Sequence, residues 1–429
     1  MILIYSLCLV LSSIFIVESK EVICYVPTWD LNAVNKVDTS LCTQILISFA
    51  KPHANGTITY PNLSPFSRLW PSKVLLAIGG ADWESTTNFA VIAAEFRFEF
   101  AQNCKEILEK YDFLDGIDID WEYPREDTED YENFVLSMKE LRAKLGKKYL
   151  LTTAVGTGTW RISVSYNLKE LDKYVDYFNL MTYDFHSDSE WDIDWDDPDN
   201  PHYGVYFNAP INGPGETVVT GIQNYLKQDI SSSKLNVGIP FYGRMYSLSD
   251  STKTAPRSPC IIGNQENNRD TFMPNYYSFC SKMKNNTWIK EWDKVRLAPY
   301  MHHEKSWISF ENQESVIEKA KLVNQFKLGG VMVWALNQDD YNGVCSKCKF
   351  PLLRAVNSAI GRSATCIELT EGGKRIPICT EIRNISHPDD CQWYYVCEEL
   401  GYPPKSIEKC NSGKYWNDLT KKCGNDCVA

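Results

Sequence analysis

The sequence predicts an α/β chain: a (β/α)8 TIM barrel over residues 20–362 with an α+β insertion at about 241–303, after the seventh strand, then a short linker at 363–376 and a small disulfide-rich β domain at 377–429. Three observations lead there. First, short apolar, β-branched runs recur at Val22 to Val26, Gln44 to Phe49, Lys73 to Ile78, Gly116 to Trp121, Leu150 to Val155, Tyr177 to Met181, Leu235 to Ile239 and Gly330 to Trp334. Second, the intervals hold amphipathic stretches such as Phe96 to Tyr111, Asp130 to Leu145 and Glu314 to Phe326, with apolar residues at the three- and four-residue spacing of helices. Third, six of the 15 cysteines fall in the last 51 residues. Alternating strands and helices imply parallel βα units, and eight of them suit a closed barrel, with an open doubly wound sheet as the alternative. A dense cysteine cluster is how a domain too small for its own core is held together.

Residues 1–19 have the form of a signal peptide. Ile2 to Val17 is an uncharged, almost wholly apolar run, and Val17 and Ser19 are small residues at the −3 and −1 positions of a cleavage site. The run is shorter than the ~20 residues a membrane span needs, so the expectation is a secreted, extracellular chain that leaves the membrane on cleavage. Cys8 departs with the leader, and the remaining 14 cysteines are an even number suited to an oxidising compartment. Cys24 and Cys42 are a plausible pair, near the starts of adjacent strands; Cys280 could pair with Cys345 or Cys348. Sequons begin at Asn55, Asn62, Asn285 and Asn384.

Forty-four basic against 55 acidic residues give a net charge of −11, which argues against nucleic acid or an anionic membrane surface as partner. The 13 Trp and 24 Tyr are either core or rings that stack on a flat ligand such as a sugar. Composition alone does not choose.

The most informative stretch runs from Leu114 to Pro124, at the fourth strand. With a period of two, Asp118, Asp120 and Glu122 share one face while Ile117, Ile119 and Trp121 share the other. In a barrel the carboxylate face is the interior, and Glu122 lies nearest the C-terminal end, where barrel chemistry resides. Same-face residues on a strand are ~6.6 Å apart, close enough for buried acids to share protons, so one pKa must rise. Glu122 is placed to use such a proton as a general acid. A solvated acidic surface would not alternate with Ile. A hard-cation site is the other competitor, but its oxygen ligands normally come from looping backbone rather than a straight strand. No metal and no cofactor are expected.

This stretch resembles the DxxDxDxE signature of family 18 glycoside hydrolases, the chitinases, carried here by Asp115, Asp118, Asp120 and Glu122. Lys73 to Gly80, Met181 to Asp184, Gly238 to Arg244 and Gly330 to Leu336 are similar to further blocks of that family in the same order. The resemblance spans roughly residues 22–361 and implies chitin and chito-oligosaccharides as substrate, acted on by a monomer through substrate-assisted, retaining hydrolysis of β-1,4 links. It implies Glu122 as acid and base, Asp120 as the residue that orients the substrate's acetamido group, Asp118 as its proton-sharing neighbour and Tyr183 as hydrogen-bond donor to the acetamido oxygen. Substrate-binding residues carried over in the same way are Tyr25, Trp29, Gly79, Gly80, Tyr123, Met181, Asp184, Arg244 and Trp334. The family's glycine pair is usually followed directly by Trp; here Ala81 and Asp82 intervene before Trp83, a possible substitute. A second departure is the run from Asp184 to Asn200, with eight acidic residues and no Lys or Arg, read either as a solvated loop or as a rim for partly deacetylated, cationic chitin.

The cysteine spacing from Cys379 resembles a peritrophin-A type chitin-binding domain, with Trp393, Tyr394, Tyr395 and Trp416 as candidate stacking rings, Tyr394 and Tyr395 being read equally as the core of so small a domain. That resemblance implies the pairs Cys379 with Cys397, Cys391 with Cys427 and Cys410 with Cys423. An enzyme is favoured over a silent chitin lectin on the same scaffold because Glu122, Asp120 and Tyr183 are all present. The binding tail argues against a third reading, an endoglycosidase for N-glycans.

Overall fold

A computed structural model describes residues 20–425 apart from 31–33, 37, 70–71, 127, 187–203, 262–272, 285, 347, 365, 370–374, 380–383, 387–390, 399–403 and 418–419. Residues 1–19, expected to be a leader, and most of the acidic run after Asp184 lie outside the described residues. No helix among those described is long and apolar enough to cross a membrane.

Eight parallel strands close on themselves: β1 (Glu21–Pro27), β2 (Gln44–Pro52), β3 (Lys73–Gly80), β4 (Gly116–Trp121), β5 (Leu150–Gly156), β6 (Tyr177–Met181), β7 (Leu235–Pro240) and β8 (Gly330–Trp334). Each pairs with its neighbour in sequence, and β1 pairs with both β2 and β8, which closes the barrel and excludes the open sheet. The period of two along each strand divides the apolar residues between two compartments. Ile23, Tyr25, Leu46, Leu75, Ala77, Ala154 and Met332 form a buried cluster inside the barrel. Val22, Cys24, Ile45, Ile47, Ile117, Ile119 and Trp121 face outward into the larger core between strands and helices. Trp121 is buried there, stacked on Phe89 at 5.7 Å between ring centroids and edge-on to Phe134 at 5.5 Å.

The surrounding helices include Trp83–Val91, Arg97–Lys110, Asp130–Leu145, Thr159–Ser165, Val218–Leu226, Gln313–Gln325 and Pro351–Ala359. Their starts show why the sequence breaks where it does. Asp82 accepts a hydrogen bond from the backbone N–H of Ser85 at 3.0 Å, and Asn312 accepts one from Ser315 at 2.8 Å, each satisfying a donor that the first helical turn leaves free.

After β7 the chain departs from the βα repeat. Strands Arg244–Ser247, Ile289–Asp293, Ala298–His303 and Ser306–Ser309 form an antiparallel sheet accompanied by helix Tyr276–Met283, so the inserted α+β elements continue to Ser309. Val205, Phe207, Tyr246, Leu248 and Trp307 form a separate core beneath this sheet. Cys280 is joined to Cys345, which resolves the two pairings the sequence left open, and Cys24 is joined to Cys42.

The C-terminal region is described by itself. Overlapping the stretch expected as a short linker, Cys366–Leu369 pairs antiparallel with Arg375–Ile378 in a two-stranded ladder. Ile385–Ser386, Trp393–Val396 and Ser406–Lys409 form a three-stranded sheet, and Tyr415–Asn417 pairs with Lys422–Gly424. Disulfides join Cys379 to Cys397 and Cys410 to Cys423, whereas Cys427 lies outside the described residues.

Candidate active site

The site is built on β4. Asp115, just before the strand, does not enter the barrel; its Oδ2 accepts the Val74 backbone N–H at 2.8 Å and so fastens the start of β3 to β4. Asp118 lies deep inside, fully buried. Its Oδ2 accepts a hydrogen bond from the Tyr25 hydroxyl at 2.7 Å, and its Oδ1 accepts from the Thr152 hydroxyl and from Asn179 Nδ2 at 3.3 Å. Burial raises the Asp118 pKa to about 6, against the three hydrogen bonds that lower it.

Asp120 is in a different position. Its register partners are Gly79 on β3 and Ala154 on β5, neither of which carries a polar side chain. Its Oδ1 is buried and has no hydrogen-bond partner among the described residues. Burial, then the neighbouring Glu122 and Asp118 carboxylates, hold its pKa well above the usual carboxylate range. A buried carboxylate oxygen without a donor is costly, which marks the place where a ligand donor fits.

Gly79 makes this approach possible. It has φ +115°, and a Cβ there would stand 2.1 Å from the Asp120 carbonyl oxygen, so only glycine lets β3 and β4 come together at this level.

Glu122 follows the strand end and is half-buried. Burial raises its pKa to about 7; a hydrogen bond involving Tyr123 and the charge of Arg161 lower it, and Asp184 raises it. It therefore holds a proton near neutrality and faces a cavity of ≈ 250 Å³. The lining brings together Tyr25, Asp120, Glu122, Tyr123, Met181, Tyr183, Asp184 and Trp334 from the residues expected from sequence. Phe49, Ala81, Ala154, Tyr242 and Met273 complete it.

Trp334 closes one side. It stacks on Phe49 at 5.5 Å with 20° between the planes, and Tyr25 leans on it at 5.4 Å. Tyr183 keeps its proton because burial and the nearby carboxylates raise its pKa, and its hydroxyl meets only the weak acceptor Met332 Sδ at 3.8 Å. Asp184 adopts a left-handed φ of 59° and is held by Arg244 Nη2 at 2.6 Å, by the Tyr242 hydroxyl at 2.7 Å and through its backbone N–H by Asn208 Oδ1 at 3.1 Å. Arg244 is buried on the inserted sheet opposite Ser309, and Ser309 Oγ accepts the Asn208 N–H at 2.8 Å. The insertion thus anchors the side of the cavity that carries Asp184.

Of the expected residues, Asp118, Gly79, Gly80 and Arg244 lie behind the lining rather than on it, and two more stand on the exposed surface. Trp29 and Trp83 are 68% and 77% exposed, Trp83 because it opens the helix after β3 rather than ending the strand. In the C-terminal region, Tyr395 and Trp416 are buried, which for Tyr395 is the core reading of the two the sequence left open; alternation along Trp393–Val396 turns Tyr395 to the face opposite Tyr394. Tyr394 stacks on Trp416 at 4.4 Å and donates to Glu408 at 2.8 Å, and Trp393 carries Lys409 at 5.2 Å from its ring.

Thr152, Asn179, Phe49 and Arg161 were not singled out from the sequence. Phe49 ends a run already assigned as a strand, and Asn179 interrupts an apolar one; a polar residue inside a barrel strand is the signal that was available. Tyr242 lies within the Gly238 to Arg244 block. Arg161 carries no local signal.

A buried row of three acids with one half-exposed member, under an aromatic wall, can deliver a proton to an oxygen lodged in the cavity and stabilise positive charge beneath it. Residues 21–339 match the family model described as glycosyl hydrolases family 18. The chain is 28% identical over 404 residues to "Probable chitinase 2" of Drosophila melanogaster, covering 80% of this chain and 81% of that protein. It is 29% identical over 379 residues to "Chitotriosidase-1" of Mus musculus, covering 80% and 78%. Among solved structures, the Ostrinia furnacalis Group IV chitinase in complex with allosamidin superposes with a TM-score of 0.72 at 31% identity, covering 80% of this chain and 100% of that one. With the family's model, its fold and a carboxylate ladder all falling on the same residues, the chain belongs to family 18 of the glycosyl hydrolases as a chitinase-type enzyme.

Proposed function

We propose that the protein hydrolyses β-1,4 links between N-acetylglucosamine units of chitin by a retaining, substrate-assisted mechanism. The observation that carries this reading is Asp120: a buried carboxylate oxygen without a partner, beside a half-buried acid that stays protonated near pH 7. An acetamido N–H is a donor of the right kind for that oxygen. In the first step Glu122 gives its proton to the glycosidic oxygen as the bond to the anomeric carbon breaks, and the acetamido carbonyl oxygen of the same sugar bonds to that carbon. The resulting oxazolinium cation is stabilised by Asp120, and Tyr183 donates a hydrogen bond to the acetamido oxygen. Glu122, now a carboxylate, takes a proton from water, whose oxygen attacks the anomeric carbon as the bond from that carbon to the acetamido oxygen breaks, which re-forms the acetamido group and restores the original configuration.

Asp118 is the proton partner of Asp120: with a pKa near 6 it can take up a proton as Asp120 turns to the substrate. Trp334 and Phe49 offer a hydrophobic floor to the sugar. The leader at 1–19 directs the protein out of the cell, and the region from 377 on is a peritrophin-A type module that keeps the enzyme on insoluble polymer and raises the local substrate concentration. The enzyme acts as a monomer without cofactor.

The test is hydrolysis of colloidal chitin and chito-oligosaccharides by wild type and by Glu122→Gln. Turnover with β-anomeric products in the wild type, lost in the variant, is the expected result. Wild-type binding without turnover would instead make the protein a chitin lectin.

A further inference from the structure

The hydrogen bonds that hold Asp118 do not end at its immediate partners. Asn179 on β6 and Asn236 on β7 are register neighbours, and both side chains are fully buried. Asn179 Nδ2 donates to Asp118 Oδ1 at 3.3 Å, and Asn236 Nδ2 donates to Asn179 Oδ1 at 3.1 Å. A relay of two amides therefore runs across the barrel interior from β7 to the carboxylate on β4.

The direction of this relay matters. A side-chain amide has nearly the same shape in its two orientations, but one end donates and the other only accepts. Turned round, Asn179 would aim a carbonyl oxygen at Asp118, an arrangement that repels a carboxylate and suits only the protonated acid. Asn236 supplies Asn179 Oδ1 with a donor from the β7 side, which holds the Nδ2 end toward Asp118. Bonds in such a chain polarise one another in the barrel's low dielectric, so the first amide strengthens the second.

Asn236 itself is left incomplete. Its Oδ1 is buried and has no hydrogen-bond partner among the described residues. Native interiors hold few such atoms. Ile23, Leu46, Leu75, Ala77 and Met332 make the rest of the barrel interior apolar, so leucine would serve a purely packing role there without an orphaned oxygen. What accounts for an amide at this position is the bond made by its other end.

We propose that Asn236 is a positioning residue of the acid row: it acts through Asn179, fixing the orientation in which that amide meets Asp118. The titratable groups around Asp118 are Tyr25 on β1, Asp120 on its own strand and Tyr183 after β6. Burial raises the Asp118 pKa, and the Asn179 bond is one of three that lower it. Without Asn236 the Asn179 amide is free to turn, and the acid holds its proton to higher pH. The inference rests on the reaction proposed above only for its kinetic readout.

The experiment compares full-length wild type, Asn236→Leu, Asn179→Leu and the double variant. Asn236→Leu moves the acid limb of kcat/KM to higher pH by about 0.5–1 unit, the size of one buried hydrogen bond. In the Asn179→Leu background the same substitution moves it no further, because the amide it acts on is gone. An unmoved limb, or an equal shift in both backgrounds, overturns the relay. Should Asn236→Leu fail to fold, Asn236→Ala takes its place with the same expectations.

A wild type without turnover defeats the proposed reaction, not the relay. Urea stability against pH then decides, as it does if a variant is too slow for a profile. With a native pKa of about 6 against ~3.9 unfolded, Asp118 contributes stability at low pH that is lost as pH rises through the native value. A higher native pKa prolongs that loss. The stability gap between wild type and Asn236→Leu therefore widens above about pH 6 if the relay holds, and a gap independent of pH overturns it.

Discussion

Tyr25 on β1 donates its hydroxyl proton to Oδ2 of Asp118 on β4 at 2.7 Å, a bond across the barrel interior between strands separated by β2 and β3. It is one of three hydrogen bonds that hold the buried Asp118 carboxylate at a pKa of about 6. Tyr25→Phe removes one, so the Asp118 pKa rises further and the acid limb of kcat/KM against pH moves to higher pH. The variant also leaves a buried acceptor short of a donor, at about 1–3 kcal/mol of stability. Urea denaturation and the pH profile check the two effects, and an unmoved acid limb would remove Asp118 from the titrating machinery.

Asp120→Asn is expected to trade activity for stability. The native pKa of Asp120 is raised by burial and by Glu122 and Asp118, whereas in the unfolded chain it is near ~3.9. Between those values the native state holds a proton that the unfolded state has lost, so stability present at low pH is lost as pH rises through the native pKa. The isosteric amide removes this loss. Its Tm exceeds that of the wild type at neutral pH, and the difference closes toward pH ~4. Turnover falls about 100-fold as the acetamido group loses its orientation. Thermal melts across pH give the answer directly.

Glu122 must be protonated to act as acid, and its pKa of about 7 places the alkaline limb of kcat/KM there, with activity falling above it. Glu122→Gln lowers kcat by about 100- to 10,000-fold and leaves oligosaccharide affinity in place. The positive charge of Arg161 lowers the Glu122 pKa. Arg161→Gln therefore shifts the alkaline limb upward, a change that loosened packing alone would not produce.

Gly79→Ala introduces a methyl group 2.1 Å from the Asp120 carbonyl at a backbone φ of +115°. Either strain alone is costly, and together they destabilise the barrel by about 3 kcal/mol and displace Asp120. The variant should melt well below the wild type and lose turnover. Melting coincident with the wild type would mean that β3 and β4 can part at this level.

The alternation of Asp and Ile at residues 117–122 was enough to place Asp118 and Asp120 inside the barrel and Ile117, Ile119 and Trp121 outside it, because side-chain direction along a strand depends only on its own period. The same rule, applied to Trp393–Val396, separates Tyr394 from Tyr395 but does not tell which face is covered. Tyr395 is the buried one of the two, while Trp416 arrives from another strand and stacks on Tyr394, a contact that pairing along the chain does not announce. Trp83 was legible as an indole near the glycine pair; its exposure was not, since Asp82 caps a helix there and carries the ring outward.

By itself, then, the sequence determined the order of strands and helices, the carboxylate face of β4 and the chemistry such carboxylates can do, all properties of residues close together in the chain. Barrel closure decided the rest. It brings Tyr25 to Asp118 across 93 positions and Asn179 to the same carboxylate across 61, and it leaves Asp120 between Gly79 and Ala154 with no donor to its Oδ1 among the described residues. It also sets Arg161 between Tyr123 and Trp160. Local periodicity fixes where a side chain points, whereas hydrogen bonding and desolvation, which set the pKa values of the acids, depend on what closure places opposite.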